Sequence, residues 1–124
     1  MPVVPAPPAP THDFGGTRFT ALVSPSRGST ETAVWQLEIL PGTPPTPHSM
    51  TREEVFVVLD GTASVRMGGA DETAAAGDVI VVPADVSFEL ANAGDRPLRL
   101  LACLPVGGLA CLPDGAVFPP PWTQ

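Results

Sequence analysis

The chain has 124 residues, enough for one domain, and its net charge is −7, from 6 basic and 13 acidic residues. All six basic residues are arginines scattered along the chain, so it offers no basic patch to nucleic acid or to an anionic membrane surface. No run of about 18 apolar residues occurs, so the sequence contains no candidate for an apolar membrane-spanning helix.

The N-terminal segment, residues 1–16, is rich in proline, with five prolines among its first eleven residues. Proline fixes the φ angle and removes a backbone donor, so this segment is predicted to be an extended arm. The segment lacks the basic part and the continuous apolar part of a secretory signal. We therefore expect a cytoplasmic protein.

Residues 17–112 alternate short apolar runs with turn residues, which is typical of strands. The predicted strands, in chain order, are residues 17–23, 31–40, 55–59, 62–67, 73–76, 79–82, 86–90 and 98–104. The run 31–40 alternates most clearly, with Ala33, Trp35, Leu37 and Ile39 on one face. No stretch has a helical period, so we predict an all-β domain, an antiparallel sandwich or barrel.

A second proline-rich segment, the tail of residues 113–124, carries Phe118 and Trp122 beside three consecutive prolines. We expect the tail to pack on the barrel or on a partner subunit. Together with the arm, which is able to extend the edge of a partner's sheet, it predicts a homodimer.

Two cysteines, Cys103 and Cys111, flank a predicted turn over residues 105–109, which would bring them opposite each other. In a cytoplasmic protein we expect two reduced, buried thiols there rather than a disulfide.

Two spaced patterns carry the chemical information in the sequence. The first is Gly42, five residues, His48, one residue, Met50, three residues, Glu54, six residues and Gly61. The second is Gly77, five residues, Pro83, one residue, Asp85, two residues, Phe88, three residues and Asn92. These spacings resemble the two motifs of the cupin superfamily, Gly-x5-His-x-His-x3,4-Glu-x6-Gly and Gly-x5-Pro-x-Gly-x2-His-x3-Asn. The resemblance implies a small single-domain cupin, a double-stranded β-helix or jelly-roll barrel.

The departures from these motifs bear on function. Metal-binding members of the family hold the ion with three histidines and one glutamate, and only His48 and Glu54 stand at those positions here. Met50 and Phe88 replace the other two histidines, and Asp85 replaces a glycine. Because catalytic metal sites use at least three protein ligands, we predict a degenerate metal site and no cofactor.

Strand alternation predicts an apolar pocket around His48 and Glu54, because side chains two residues apart on a strand share a face. The predicted lining residues are Trp35, Leu37, Met50, Phe56, Val58, Phe88 and Leu90. Burial in such a pocket raises the pKa of a carboxyl group, unless His48 lies close enough to pair with Glu54.

Three functions fit this pattern. The first, which we favour, is binding of a small apolar or amphipathic molecule in the barrel. The second is a metal-independent isomerase, cyclase or lyase, in which Glu54 moves a proton and His48 orients the substrate or acts as the partner acid. The third is a dioxygenase-like cupin in which His48, Glu54 and non-motif ligands such as Asn92 or Cys103 hold a divalent metal. The sequence identifies neither the ligand nor any reaction.

Overall fold

The computed structural model describes residues 2–124, which form twelve strands and two short 3₁₀ helices. The strands, in chain order, are β1 (His12–Phe14), β2 (Thr17–Val23), β3 (Thr32–Ile39), β4 (Ser49–Met50), β5 (Glu54–Asp60), β6 (Thr62–Met67), β7 (Ala70–Ala75), β8 (Val79–Val82), β9 (Phe88–Asn92), β10 (Leu98–Pro105), β11 (Ala110–Cys111) and β12 (Val117–Phe118). The 3₁₀ helices are Pro25–Arg27 and Pro121–Thr123. No α-helix occurs in the described residues, which confirms the all-β prediction. Within residues 2–124, neither helix has the length and apolar character needed to cross a membrane.

The strands form three antiparallel sheets. The largest has the order β1-β2-β3-β10-β5-β8, and the two smaller sheets have the orders β7-β6-β9 and β12-β11-β4. The chain leaves the large sheet at Gly61, between β5 and β6. Gly61 has a φ of +90°, and a Cβ atom there would lie 3.1 Å from the Cα atom of Leu98. This corner therefore requires glycine, which explains one fixed position of the first motif.

Alternating burial places one face of β3, β5 and β10 in the core. On β3, the predicted inward residues Ala33, Trp35, Leu37 and Ile39 are all buried, and the residues between them are only half-buried. On β10, the inward side chains of Leu98, Leu100, Ala102 and Leu104 are at most 1% exposed. Burial of these apolar faces supplies the main stabilisation of the fold, at about 25 cal/mol per Å² of apolar surface.

The turn before β9 keeps a glycine-like backbone although the glycine of the motif is absent. Asp85 has a φ of 65° and is the one non-glycine residue with a positive φ among residues 2–124. Aspartate tolerates this left-handed region better than most residues, at some cost in free energy. The Asp85 N–H donates to the carbonyl oxygen of Met50 at 2.7 Å. The turn thereby holds β4, the strand that directly follows His48.

Both proline-rich ends pack against their own barrel. Strand β1 lies within the predicted arm and pairs with β2, and β12 lies within the predicted tail and pairs with β11. Trp122 stacks on Phe19 of β2, with ring centroids 3.7 Å apart and an interplanar angle of 9°. Both segments are thus engaged within one chain, and the homodimer stays a prediction.

The predicted hairpin between the cysteines does not form. Cys103 lies on β10 opposite Val34 of the large sheet, whereas Cys111 lies on β11 opposite Ser49 of a small sheet. The chain changes sheets between β10 and β11, which separates the two residues. Both are free, partly buried thiols.

Two predicted strand boundaries also shift. Strand β7 begins at Ala70 rather than at residue 73, because it pairs with β6 along the full length of β6. Strand β9 begins at Phe88 rather than at residue 86, because the Val86 N–H donates to the carbonyl oxygen of Pro83 and extends the preceding turn.

Candidate functional site

A cavity of about 280 Å³ opens into the barrel, and residues of all three sheets line it. The loop of residues 43–46 and the tail complete its wall. Ala110 of β11 and Leu90 of β9 line the cavity from the two smaller sheets. The inward residues of β3 and β5 line it from the large sheet.

Every phenylalanine and tryptophan of the chain lines this cavity. The sequence has five phenylalanines, two tryptophans and no tyrosine. The seven lining residues are Phe14, Phe19, Trp35, Phe56, Phe88, Phe118 and Trp122. The buried core outside the cavity consists of alanine, valine, leucine and isoleucine. The aromatic side chains are therefore concentrated on one internal surface instead of being spread through the core.

Most of the residues predicted for the pocket lie together around the cavity: Trp35, Leu37, Met50, Phe56, Phe88 and Leu90. His48 and Glu54 line it as well. The prediction was wrong for Val58, which is 1% exposed but does not line the cavity. Val58 shares the inward face of Phe56, but it lies further along β5, within the buried core.

Several lining residues were not predicted, and most of them come from the chain ends and from one loop. They are Phe14, Phe19, Phe118 and Trp122, together with the segment 43–46. Strand alternation gives no information on Phe14, Phe118, Trp122 or the loop, because they belong to short or irregular elements; Phe19 lies on the regular strand β2. The signal that was present is compositional, since the arm and the tail hold three of only seven aromatic residues.

Glu54, the first residue of β5, is the buried carboxyl group of the site. Its side chain is 4% exposed, and its Oε1 atom is buried without a hydrogen-bond partner. Burial raises the pKa of Glu54 from 4.5 to about 8, because the ionised form loses its hydration and gains no compensating contact. At neutral pH the group is mainly a neutral carboxylic acid.

His48 is held by backbone contacts rather than by Glu54. Its Nδ1 atom lies 2.8 Å from the carbonyl oxygen of Thr46. A carbonyl oxygen only accepts, so Nδ1 carries the proton, and the Nε2 atom of the neutral ring is left as an acceptor. The backbone of His48 also exchanges two hydrogen bonds with Phe88, and the two rings lie 4.5 Å apart. Among the described residues, no ion pair or hydrogen bond joins His48 to Glu54.

Comparison with known proteins agrees with this geometry. A family model described as a cupin domain matches residues 35–104, which is more than half of the chain. The chain belongs to the cupin family. No curated protein matches this cupin in sequence.

Solved structures confirm the jelly-roll cupin fold. The polyketide cyclase RemF from Streptomyces resistomycificus is 19% identical, with a TM-score of 0.67, over 84% of this chain and 70% of that chain. An RmlC-like cupin from Shewanella frigidimarina is 18% identical, with a TM-score of 0.67, over 78% of this chain and 82% of that chain. The cupin domain of Schizosaccharomyces pombe Cnp3 is 18% identical, with a TM-score of 0.62, over 73% of this chain, and the match spans 64% of the length of that domain. At these identities the likeness concerns the fold.

The side chains at the ligand positions of this cupin do not fit the metal ion that metal-binding cupins hold. Met50 and Phe88 place a thioether and a phenyl ring at two of the four ligand positions. Within residues 2–124, no group of three or more His, Cys, Asp or Glu side chains is arranged to hold a metal. One imidazole and one carboxyl group fall short of the three protein ligands of a catalytic site.

The non-motif ligands suggested by the sequence do not complete that set. The Asn92 amide donates to the carbonyl oxygens of Ile39 and Arg96 at 2.9 and 2.8 Å. Its Oδ1 atom accepts the N–H of Gly94. Cys103 alternates with the buried residues of β10, so it faces away from the cavity. Asn92 therefore has a structural role in the turn after β9.

Proposed function

We propose that this cupin binds a small, largely apolar molecule inside its barrel without a metal ion. The observation that carries the proposal is the cavity of about 280 Å³, lined by every phenylalanine and tryptophan of the chain and by Glu54, whose Oε1 atom is buried without a partner. Small-molecule sites are usually apolar cavities of roughly 300–1,000 Å³ with a few polar groups that orient the ligand. The cavity is near the lower end of that range, which suits a ligand of two or three fused rings.

The rigidity of the wall also supports binding. Trp35 and Phe88 are each 2% exposed, so their rings are fixed by packing before any ligand enters. A preformed wall lowers the ordering cost that a ligand must overcome.

The test is a fluorescence titration with N-phenyl-1-naphthylamine, a neutral apolar dye that brightens when it leaves water. We expect saturable binding at one site per chain. Ala110→Leu narrows the cavity, because Ala110 is buried in its wall, and we expect it to weaken dye binding. Ala116→Leu makes the same change at an exposed position and is the matched control. Equal dye binding in both variants would place the dye elsewhere and contradict the proposal.

One observation favours a second function, proton transfer to or from the bound molecule. The pKa of Glu54 is raised by burial to about 8, close to the pH at which a general acid or base is most effective. In this scheme Glu54 moves the proton. The Nε2 atom of His48, whose ring is fixed through Nδ1, accepts a hydrogen bond from the substrate and orients it.

A simple probe of this second function is 2-tetralone, a bicyclic ketone with exchangeable protons beside its carbonyl group. Ionised Glu54 would take one such proton, leaving an enolate that recovers a deuteron from D₂O, and proton NMR follows the exchange. We expect the rate to rise with pH, reach half its maximum near pH 8 and level off above it, and to fall to the buffer rate in Glu54→Gln. A Glu54→Gln variant that keeps the full rate would exclude Glu54 as the base.

A further inference from the structure

Two unpartnered polar atoms belong to residues that line the cavity. In the described residues, three buried side-chain polar atoms have no hydrogen-bond partner: Glu54 Oε1, Trp122 Nε1 and Ser29 Oγ. Glu54 and Trp122 line the cavity, and Ser29 lies outside it. Unpartnered buried polar atoms are rare in folded proteins because each carries a penalty in free energy. A ligand that supplies both missing partners would remove that penalty.

The chemistry of the two groups restricts what the ligand presents. An indole N–H only donates, so the group that complements Trp122 is an acceptor, such as an oxygen with a free lone pair. A neutral carboxylic acid both donates and accepts, so Glu54 complements a carbonyl or a hydroxyl group. Neither group requires a charged partner.

The surrounding rings restrict the shape of the ligand. Trp122 already stacks on Phe19 at 3.7 Å, and Phe14 meets Trp122 edge-to-face at 5.8 Å. Aromatic walls of this kind favour flat rings, which gain offset-stacked and edge-to-face contacts beyond the burial of apolar area.

We propose that the ligand is a planar, uncharged aromatic molecule bearing carbonyl or hydroxyl oxygens, and that Trp122 Nε1–H and the Glu54 carboxyl group select for these oxygens. This inference rests on the proposed function, because it assumes that the cavity binds a small molecule.

An organic cation is the competing ligand class, since aromatic rings attract cations through their negative faces. A quaternary ammonium ion has no lone pair to accept from Trp122, so it would leave Nε1 unpartnered. The oxygen-bearing aromatic ligand satisfies both atoms and is therefore favoured.

The test is competition against N-phenyl-1-naphthylamine by three probes: chromone, naphthalene and tetramethylammonium. Chromone and naphthalene are flat bicyclic molecules of similar size, and only chromone carries oxygen. We expect chromone to displace the dye at a concentration about tenfold lower than naphthalene, the factor that a hydrogen bond to a buried group accounts for. Tetramethylammonium should not displace the dye.

Two variants assign the preference to Trp122. Trp122→Phe keeps an aromatic ring over Phe19 and removes the N–H, so we expect most of the preference for chromone to disappear while naphthalene still binds. Ser29→Ala removes the third unpartnered atom, which lies outside the cavity, and should leave the preference unchanged.

The outcomes separate this inference from the proposed function. Equal displacement by chromone and naphthalene in the unmodified chain would overturn the inference and leave the cavity as a binding site. Displacement by tetramethylammonium alone would overturn it in favour of a cation site. An unmodified chain that does not bind the dye would overturn both the inference and the proposed function. The comparison of chromone with naphthalene in the unmodified chain tests the inference even if Trp122→Phe does not fold.

Discussion

The buried carboxyl group of Glu54 should make this cupin less stable as the pH rises, and Glu54→Gln should remove that dependence. The carboxyl ionises near pH 4.5 when exposed and near pH 8 in the folded chain. Below pH 4.5 both states are protonated, so the group has no effect on the pH dependence of unfolding. Between these values the unfolded state ionises first, and the folded state loses about 1.4 kcal/mol per pH unit. The loss reaches about 3 kcal/mol at pH 7 and about 5 kcal/mol above pH 8, where it levels off.

The assay is urea unfolding of both proteins between pH 4.5 and 8.5, followed by the fluorescence of Trp35 and Trp122. Glu54→Gln keeps the size and polarity of the side chain and cannot ionise. We expect its free energy of unfolding to match that of the unmodified chain near pH 4.5 and to exceed it by about 3 kcal/mol at pH 7. Glu53→Gln, on the exposed neighbouring side chain, is the matched control and should change stability by less than about 0.5 kcal/mol. A constant difference between Glu54→Gln and the unmodified chain across this range would refute the reasoning, since Glu54 would then ionise normally.

Three further predictions concern Asp85, Phe88 and the two replaced ligand positions. Asp85→Gly removes the strain of a side chain at a φ of 65°, so its free energy of unfolding should be equal to or slightly higher than that of the unmodified chain. Asp85→Ala should lower the free energy of unfolding by about 1 kcal/mol, measured by thermal unfolding. Equal melting temperatures for the two variants would contradict this. Phe88 is 2% exposed, so Phe88→Ala should lower the free energy of unfolding by about 3–5 kcal/mol. Phe118 is 37% exposed, so Phe118→Ala should lower it by much less. Similar losses in the two variants would show that Phe88 is not a core residue. The double variant Met50→His, Phe88→His restores the family's donor set and should retain about one Zn(II) or Mn(II) per chain after dialysis, measured by elemental analysis. A double variant that retains no more metal than the unmodified chain would mean that more than these two side chains prevents binding.

Much of the fold was predictable because its strands follow a simple alternation. The inward face of β3 and the positions of His48 and Glu54 come from short-range patterns that a single sequence displays. The same alternation wrongly predicted Val58 in the pocket. Alternation indicates the face on which a residue lies, but not its position along the barrel.

The aromatic wall contributed by the chain ends was not predictable in this way. Phe14 and Trp122 are separated by most of the chain and meet only when both ends fold onto β2. Their segments are short and rich in proline, so they show no strand period. The predicted hairpin that would bring Cys103 opposite Cys111 was wrong for a related reason, because the change of sheet after β10 leaves no local signal.

The most direct test of the central claim is calorimetric titration with N-phenyl-1-naphthylamine of protein stripped of metal by a chelator, with its metal content verified by elemental analysis. We expect one binding site per chain, with an affinity that stays within about twofold when Mn(II), Fe(II) or Zn(II) is added back, because the walls are aromatic and the donor set is incomplete. Binding that appears only after a metal is restored, and that is lost in His48→Ala, would contradict it.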